Sequence, residues 1–219
     1  MQKMQHNARL GVATTVTLMA AFTLASCAQD DNPEQGVDAD TGEDQASQAG
    51  SEQSPVAMAE LANAQGDDLG QVEFYETDGG TEIVVDVQDL DEGFYGFHLH
   101  EFGECEAQSQ APDDPEETGD FLSAGGHIAG EGEADHSGHA GDLPALLVNE
   151  DNTAQMSVVT NRVDVSELVG QDGAAVMIHS DADNYANVPD RYLEGQEPDD
   201  GTLSTGDAGD RLACGVIEG

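Results

Sequence analysis

Two histidines, His98 and His100, stand two residues apart in the run GFHLHEFGEC (residues 96–105). If this run is a β-strand, successive side chains alternate between its faces, so both imidazoles point the same way. Phe94 and Phe102 are then expected on that same face. Two imidazoles on one face of a rigid strand provide half of a metal site, although two ordinary histidines on a half-exposed strand fit the same pattern.

The other histidines include His6, near the N-terminus, and four that lie on strand ends or in glycine-rich loops. Those four are His127 in SAGGHIAG, His136 and His139 in DHSGHAGDL, and His179 at the end of AAVMIHS. A single histidine in any of these places is more often a structural or surface residue. Because all six histidines beyond His6 occupy such positions, the pattern favours a metal site.

The histidines fall into two groups that suit different metals. One group comes from glycine-rich loops and includes a carboxylate: His127, His136, His139 and Asp142. The other comes from predicted strands: His98, His100 and His179. Three nitrogens and one oxygen with short loop spacing are acceptable to zinc, whereas a rigid set of imidazoles suits copper. If both sites exist, His127 lies where they meet and can use both ring nitrogens.

The elements that must position these residues are short strands. Six runs have strand character: GQVEFYET, TEIVVDVQDL, YGFHLHEF, TAQMSVVT, AAVMIHS and RLACGVI. The first two are separated by TDGG, which indicates a hairpin, and the second alternates apolar with acidic residues. Helical periodicity is limited to a turn near 166–169. Many short strands with turn signals predict an all-β antiparallel sandwich or barrel, with two long functional loops at 103–145 and 180–210.

The charge of the chain is strongly negative and excludes one class of partner. Five lysines and arginines stand against 46 acids, a formal net charge of −41, and only three arginines remain beyond residue 9. Nucleic acid is therefore not an expected partner, because no basic patch meets its phosphates. Such acidity signals either disorder or adaptation to high salt, and the periodic strands favour high salt.

The N-terminal segment predicts export. Residues 1–26 combine a weakly basic start with an apolar stretch too short for a convincing membrane span, which is typical of a signal peptide. The run LASC, ending at Cys27, resembles the lipobox of bacterial lipoproteins, although an ordinary signal peptide cut nearby is the alternative. Residues 27–54 are acidic and lack core-forming side chains, which predicts a lipidated cysteine and a disordered tether ahead of a folded domain at 55–219.

Two cysteines remain once Cys27 is set aside, namely Cys105 and Cys214. An even pair in an exported protein indicates one disulfide, and two buried free thiols are the alternative.

Several motifs, taken together and in order, resemble copper–zinc superoxide dismutase in its bacterial exported form. They are GFHLHEFGEC, SAGGHIAG, HAGDL, MIHSDADN and TGDAGDRLACGVI, and the resemblance runs from about residue 55 to the C-terminus. It implies a Greek-key β-barrel, copper and zinc as cofactors, and disproportionation of superoxide to oxygen and hydrogen peroxide. It also implies an intrasubunit disulfide between Cys105 and Cys214.

The resemblance also implies a role for each site residue. The copper ligands become His98, His100, His127 and His179. The zinc ligands become His127, His136, His139 and Asp142. His127 bridges the metals and carries a proton, Asp183 links the copper-side and zinc-side histidines, and Arg211 binds the anion beside copper.

Two departures from the family pattern stand out. The loop from His127 to Asp142 is shorter than usual, with His136 and His139 closer together, and the lysines that often steer superoxide are missing. The alternative function is a non-catalytic copper- and zinc-binding surface lipoprotein on the same fold. Either reading predicts an exported protein anchored to the extracytoplasmic side of a membrane through Cys27. The family allows a homodimer, but no motif specifies one.

Overall fold

The computed structural model describes residues 53–130, 135–193 and 195–219. The predicted signal peptide, Cys27 and all but the last two residues of the predicted tether lie outside the described residues. The strands within them are β1 (Ala57–Asn63), β2 (Asp68–Thr77), β3 (Gly80–Gln88), β4 (Gly93–Tyr95), β5 (Phe97–His100), β6 (Ser109–Gln110), β7 (Thr118–Gly119), β8 (Leu146–Val148), β9 (Thr153–Thr160), β10 (Ala175–His179) and β11 (Arg211–Val216). The α-helices are α1 (Val165–Leu168), α2 (Asp190–Leu193) and α3 (Asp200–Thr205).

Seven strands form one antiparallel sheet in the order β5-β10-β11-β1-β2-β3-β9. Strands β4 and β8 pair in a separate ribbon, as do β6 and β7. The chain passes from β9 at one edge of the large sheet to β10 beside the opposite edge, which is the kind of long return connection found in Greek keys. The predicted all-β antiparallel fold is confirmed.

The core lies against the apolar faces of these strands. In β3, Ile83, Val85 and Val87 are buried, while Glu82 and Asp86 face outward. This alternation follows directly from the two-residue period of a strand. The same core contains Phe97 and Leu99 of β5 together with side chains from most other strands.

The predicted strand around His98 is two strands with a break at Gly96. Its amide donates to the carbonyl of Asp181 (2.8 Å), and the backbone there passes so close to Ala208 that a side chain would collide. The expectation that Phe94 shares a face with His98 is wrong: Phe94 lies in β4 opposite Leu147 and is 59 % exposed, whereas His98 is fully buried. Phe102 lies beyond the end of β5.

All four residues of β5 are buried, but its two faces differ in chemistry. Phe97 and Leu99 join the apolar core, and His98 and His100 lie on the other face. A strand that is buried on both sides holds its histidines more rigidly than the half-exposed strand considered above.

Both predicted long loops contain short elements of their own. The first carries β6, β7 and a single 3-10 turn, Leu122–Ala124, and the second carries α2 and α3. The predicted helical turn near 166–169 corresponds to α1, whose N-terminus has a capping box formed by Asp164 and Glu167. No helix in the described part of the chain is long and apolar enough to cross a membrane.

Candidate metal centre

Three buried imidazoles meet where β5 and β10 lie side by side. His98 and His100 come from β5, and His179 is the last residue of β10. The amide of His179 donates to the carbonyl of Gly96 (2.8 Å), which brings the end of β10 against the start of β5. The ring centroid of His179 lies 4.8 Å from that of His98 and 5.6 Å from that of His100. The sheet thus assembles the three predicted copper-side histidines.

Each of these imidazoles uses one ring nitrogen to hold its orientation. His98 Nε2 donates to Asp183 (2.9 Å), His100 Nδ1 donates to the carbonyl of Gly125 (2.9 Å), and His179 Nδ1 donates to the carbonyl of Gly209 (3.3 Å). The opposite nitrogens are buried and have no hydrogen-bond partner: His98 Nδ1, His100 Nε2 and His179 Nε2. Imidazoles that bind a metal show this arrangement, in which the second nitrogen donates outward and fixes the tautomer.

The second group of donors surrounds the carboxylate of Asp142. Its oxygens lie 2.9 Å from His127 Nδ1, 3.1 Å from His136 Nδ1 and 3.2 Å from His139 Nδ1. His136 Nδ1 is buried and has no hydrogen-bond partner of good geometry, although it lies within ion-pair distance of Asp142. Three Nδ1 atoms and a carboxylate converging in this way are a donor set that zinc accepts.

The two groups share His127. Its ring centroid lies 4.0 Å from that of His98, and its Nδ1 is in contact with Asp142. Donor atoms of His98, His100, His127 and His179 lie within 4.8 Å of one another, and so do those of His98, His127, His136 and Asp142. His139 falls outside this second grouping, on the solvent side, with its side chain 13 % exposed. The backbone amide of His139 also donates to Asp142 (2.9 Å).

Asp183 connects the two groups from behind. His98 Nε2 and His136 Nε2 both donate to its carboxylate, at 2.9 and 2.8 Å, and the backbone amide of Tyr185 donates to it at 2.7 Å. All three side-chain partners in this chain, His98, Asp183 and His136, are fully buried. The structure therefore places Asp183 between a copper-side and a zinc-side histidine.

The pKa values of the histidines differ between the two groups. Burial holds the pKa of His100 well below its ordinary value and lowers that of His127 to about 4 and that of His179 to about 3. Burial acts in the same direction on His136, but the adjacent carboxylates of Asp142 and Asp183 outweigh it and raise the pKa to about 9. The imidazoles of His100, His127 and His179 are therefore neutral at pH 7, as metal ligands must be, whereas zinc binding would release a proton from His136.

Arg211 lies beside the copper-side donors and is fixed by the loop opposite. Its two terminal nitrogens donate to the carbonyls of Phe121 and Gly125, both at 2.6 Å. The carbonyl of Gly125 thus binds both Arg211 and His100. A cavity of about 640 Å³ is lined by Arg211, by three of the histidines and by four carboxylates. The histidines are His100, His127 and His179, and the carboxylates are Asp113, Glu117, Asp120 and Asp210.

The disulfide between Cys105 and Cys214 is confirmed, with Cα atoms 5.6 Å apart. It ties the loop that follows β5 to β11, the strand that begins with Arg211. The loop that carries the Phe121 and Gly125 carbonyls is therefore joined to the strand of Arg211 by the disulfide as well as by hydrogen bonds.

The donor sets fit the two metals. The unpartnered buried nitrogens on the copper side are all imidazole, which suits copper, and the other group adds a carboxylate in a set that suits zinc. A buried polar atom without a partner is costly, so nitrogens arranged in this way are explained by ligands that they bind.

Known proteins share both the sequence and the fold. A family model described as Copper/zinc superoxide dismutase (SODC) matches residues 69–217. The chain belongs to the copper/zinc superoxide dismutase family. The superoxide dismutase [Cu-Zn] of Mycolicibacterium paratuberculosis is 37 % identical over 181 residues, covering 78 % of each chain, and that of Escherichia coli is 32 % identical over 158 residues, covering 70 % of this chain and 80 % of the other.

Solved structures of related proteins agree with this membership. The Cu/Zn superoxide dismutase of Brucella abortus is 31 % identical, with a TM-score of 0.54, and the match covers 74 % of this chain and 99 % of that one. A double mutant of a SOD-like protein from Bacillus subtilis is 28 % identical, with a TM-score of 0.57, and the match covers 74 % and 97 %. The predicted dismutase family is confirmed.

Some groups around this dismutase site carry no signal in the sequence. The carbonyls of Phe121, Gly125 and Gly209 orient Arg211 and two histidines, and every residue has such a carbonyl. Tyr185 stacks on His136, with 6.4 Å between centroids and 10° between planes, and its hydroxyl accepts from the amide of Ala145. Neither the carbonyl contacts nor those of Tyr185 could have been inferred from residue type or spacing.

Proposed function

We propose that this copper/zinc superoxide dismutase converts two superoxide ions and two protons into oxygen and hydrogen peroxide at a copper ion that His127 bridges to zinc. Copper and zinc are the cofactors of the enzyme. The proposed copper ligands are all histidines: His98, His100, His127 and His179. The proposed zinc ligands are three histidines and a carboxylate: His127, His136, His139 and Asp142.

One observation carries this assignment. Every copper-side imidazole other than His127 commits one ring nitrogen to a backbone carbonyl or to Asp183, which leaves its other nitrogen buried and free. His127 instead has one nitrogen at Asp142 and belongs to both groups of donors. A residue that faces two donor sets at once supports a bridging role.

The chain contributes binding, proton transfer and alignment. Copper, when bound, would supply reversible one-electron chemistry for the two half-reactions. Arg211 attracts the anion with a fixed positive charge and directed donors, because its guanidinium is already held by Phe121 and Gly125. His127 Nε2 holds a proton between the two half-reactions and passes it to the peroxide. Asp183 keeps His98 and His136 in their tautomers.

Replacing the proposed bridge tests this function. In His127→Ala, superoxide decay should slow at least about 100-fold, because both the proton carrier and a shared ligand are lost. Pulse radiolysis measures the decay, and metal analysis of the same sample gives copper and zinc per chain. Ser204→Ala, on the exposed cavity wall, is the control and should keep full activity. Activity that survives intact in His127→Ala would refute the bridging role.

The alternative function is copper and zinc binding without turnover. Storage of metal needs neither a cavity open to small anions nor an arginine held beside the copper-side donors. Arg211 and the cavity of about 640 Å³ favour the enzyme.

We also infer that the domain is exported and anchored through an acylated Cys27, which the LASC run supports. Cys27→Ser should leave the membrane fraction while keeping its metals and activity, since the acidic segment after Cys27 separates the anchor from the domain. Continued membrane association of Cys27→Ser would contradict the anchor.

A homodimer stays a prediction, and sedimentation of the Cys27→Ser protein tests it.

A further inference from the structure

Cations are scarce in this chain, and their places are therefore informative. Beyond residue 9 the only lysines or arginines in the sequence are Arg162, Arg191 and Arg211. Arg211 holds the loop beside the copper-side donors, and Arg191 is exposed with its guanidinium 4.7 Å from the ring of Tyr192. Arg162 is also exposed, but it reaches across to the loop that carries the zinc-side histidines. None of the roles discussed above uses it.

The base of Arg162 is rigid. Its amide donates to Thr160 Oγ1 (3.2 Å) at the end of β9, and the next residue, Val163, is buried. The carbonyl of Val163 accepts from the buried hydroxyl of Thr81 in β3 (2.8 Å). Arg162 therefore projects from a segment that is fixed to the large sheet on both sides.

The tip of Arg162 holds two backbone carbonyls of the zinc-side loop. Its Nη1 donates to Ser137 O (3.1 Å) and to His139 O (3.0 Å). Ser137 has φ of +65°, a left-handed conformation that costs free energy in a residue other than glycine. A conformation of this kind persists only where surrounding contacts maintain it.

We propose that Arg162 is a positioning residue of the zinc site, which keeps residues 137–139 in the conformation that aims His136 and His139 at Asp142. The proposal rests on the zinc assignment above. Both imidazoles point their Nδ1 atoms at Asp142, at 3.1 and 3.2 Å, and Ser137 and Gly138 separate them in sequence. A shift of the Ser137 or His139 carbonyl therefore moves both ligands.

Charge and positioning predict opposite effects of removing Arg162. A guanidinium near a divalent cation repels it, so on charge alone the loss of Arg162 would strengthen zinc binding. Hydrogen bonds from a charged donor to backbone carbonyls are among the stronger ones, and groups behind metal ligands typically affect metal affinity by 10–100-fold. Because Arg162 is exposed, we expect the lower end of that range.

The test compares zinc release from the copper- and zinc-loaded full chain into a chromogenic chelator. Arg162→Met should release zinc about tenfold faster than the wild type. Arg162→Lys keeps a donor and a charge and should recover most of the difference. Arg191→Met removes an equal charge away from the site and should release zinc at the wild-type rate. Cobalt placed at the zinc site should show an altered visible spectrum in Arg162→Met alone.

Three results would overturn the proposal: zinc release from Arg162→Met at the wild-type rate, slower release, or an unchanged cobalt spectrum. Unfolding of the metal-free variants separates positioning from general stability, because a merely structural role lowers the melting temperature and leaves zinc release unchanged. If Arg162→Met fails to fold, Arg162→Lys is decisive: zinc release faster than wild type but less than about tenfold faster supports the proposal, and release slower than wild type contradicts it. A wild-type protein that binds no zinc would instead refute the zinc assignment.

Discussion

At the scale of single residues, the metal centre depends on which nitrogen of each imidazole is left free. The carbonyl of Gly125 is central to this, because it accepts from His100 Nδ1 and from Arg211. The same oxygen therefore orients a proposed copper ligand and the proposed anion-binding group. Since the disulfide ties this loop to β11, the distance between the two is maintained by covalent and hydrogen bonds together.

Replacement of Arg211 tests its proposed role in binding superoxide. Arg211→Met should lower kcat/KM for superoxide about 100-fold, since it removes the charge and directed donors beside copper, while copper content stays unchanged. In Arg211→Lys, kcat/KM should lie between the values of the wild type and of Arg211→Met. A lysine ammonium keeps the charge, but it cannot hold the Phe121 and Gly125 carbonyls together as the planar guanidinium does. Pulse radiolysis measures the rates, and Arg191→Met is the charge-matched control. An unchanged rate in Arg211→Met would contradict the anion-binding role of Arg211, whereas a wild-type protein that binds both metals without accelerating superoxide decay would favour the storage function.

At this scale, much of the site could be predicted from the sequence, because metal ligands are recognised by side-chain type. Histidines with close spacing, such as His136 and His139, point to a shared ion whatever the backbone does. The carbonyls of Gly125 and Gly209 could not be predicted, since they depend only on where the folded backbone passes.

At the scale of elements, helix α3 ends directly against the buried pair Asp183 and His136. Its C-cap, Gly206, has φ of +64°, and a Cβ there would overlap Asp183 Oδ1 and His136 Nε2. The amide of His136 also donates to the carbonyl of Leu203 in α3 (2.6 Å). This short helix is therefore a wall of the zinc-side site.

A methyl group at Gly206 should disrupt that wall. Gly206→Ala should weaken zinc binding about 10–100-fold, because both the left-handed backbone and the Asp183–His136 pair must shift. Chelator competition with the loaded protein measures this. Gly201→Ala in the same helix is the control, since its Cβ meets only Asp199 Oδ1 at 3.4 Å. Equal zinc affinity in the two variants would show that the close approach has no effect on the site.

The strands were predictable where one face is apolar and the other polar, as in β3. Strand β1 could not be predicted because its buried positions include Ala57 and Ala59, and alanine is depleted in strands. The break between β4 and β5 was missed because it depends on the close approach of Gly96 to Ala208, a contact distant in sequence. Strand β8, with three residues, is too short for alternation to identify.

At the scale of the whole molecule, the surface charge opposes the substrate. After cleavage before Cys27 the chain would carry three arginines against 46 acids, a formal charge of −43. Four carboxylates also line the cavity that leads to Arg211: Asp113, Glu117, Asp120 and Asp210. Superoxide is an anion, so this field repels it, and only Arg211 and the metals attract it nearby.

Salt should therefore preserve or increase the rate. The Debye length falls from about 30 Å at 0.01 M to about 3 Å at 1 M, so distant carboxylates are screened while contacts at the metal centre persist. We expect kcat/KM to hold steady or rise over this range, and thermal stability to rise with it. Pulse radiolysis at each ionic strength, with metal content checked, measures the rate. Asp113→Asn combined with Glu117→Gln should raise the low-salt rate, and a steep fall of the wild-type rate with salt would contradict the repulsion.

In the proposed centre, two different metals share His127. Anomalous diffraction recorded on both sides of the copper and zinc absorption edges, from crystals of the metal-loaded protein, tests it directly. We expect one copper peak, bound by His98 Nδ1, His100 Nε2 and His179 Nε2. We also expect one zinc peak, bound by the Nδ1 atoms of His136 and His139 and by Asp142, with the ring of His127 between the two metals. A single peak, two peaks of one metal, or a zinc ion away from Asp142 in protein loaded with both metals would contradict it.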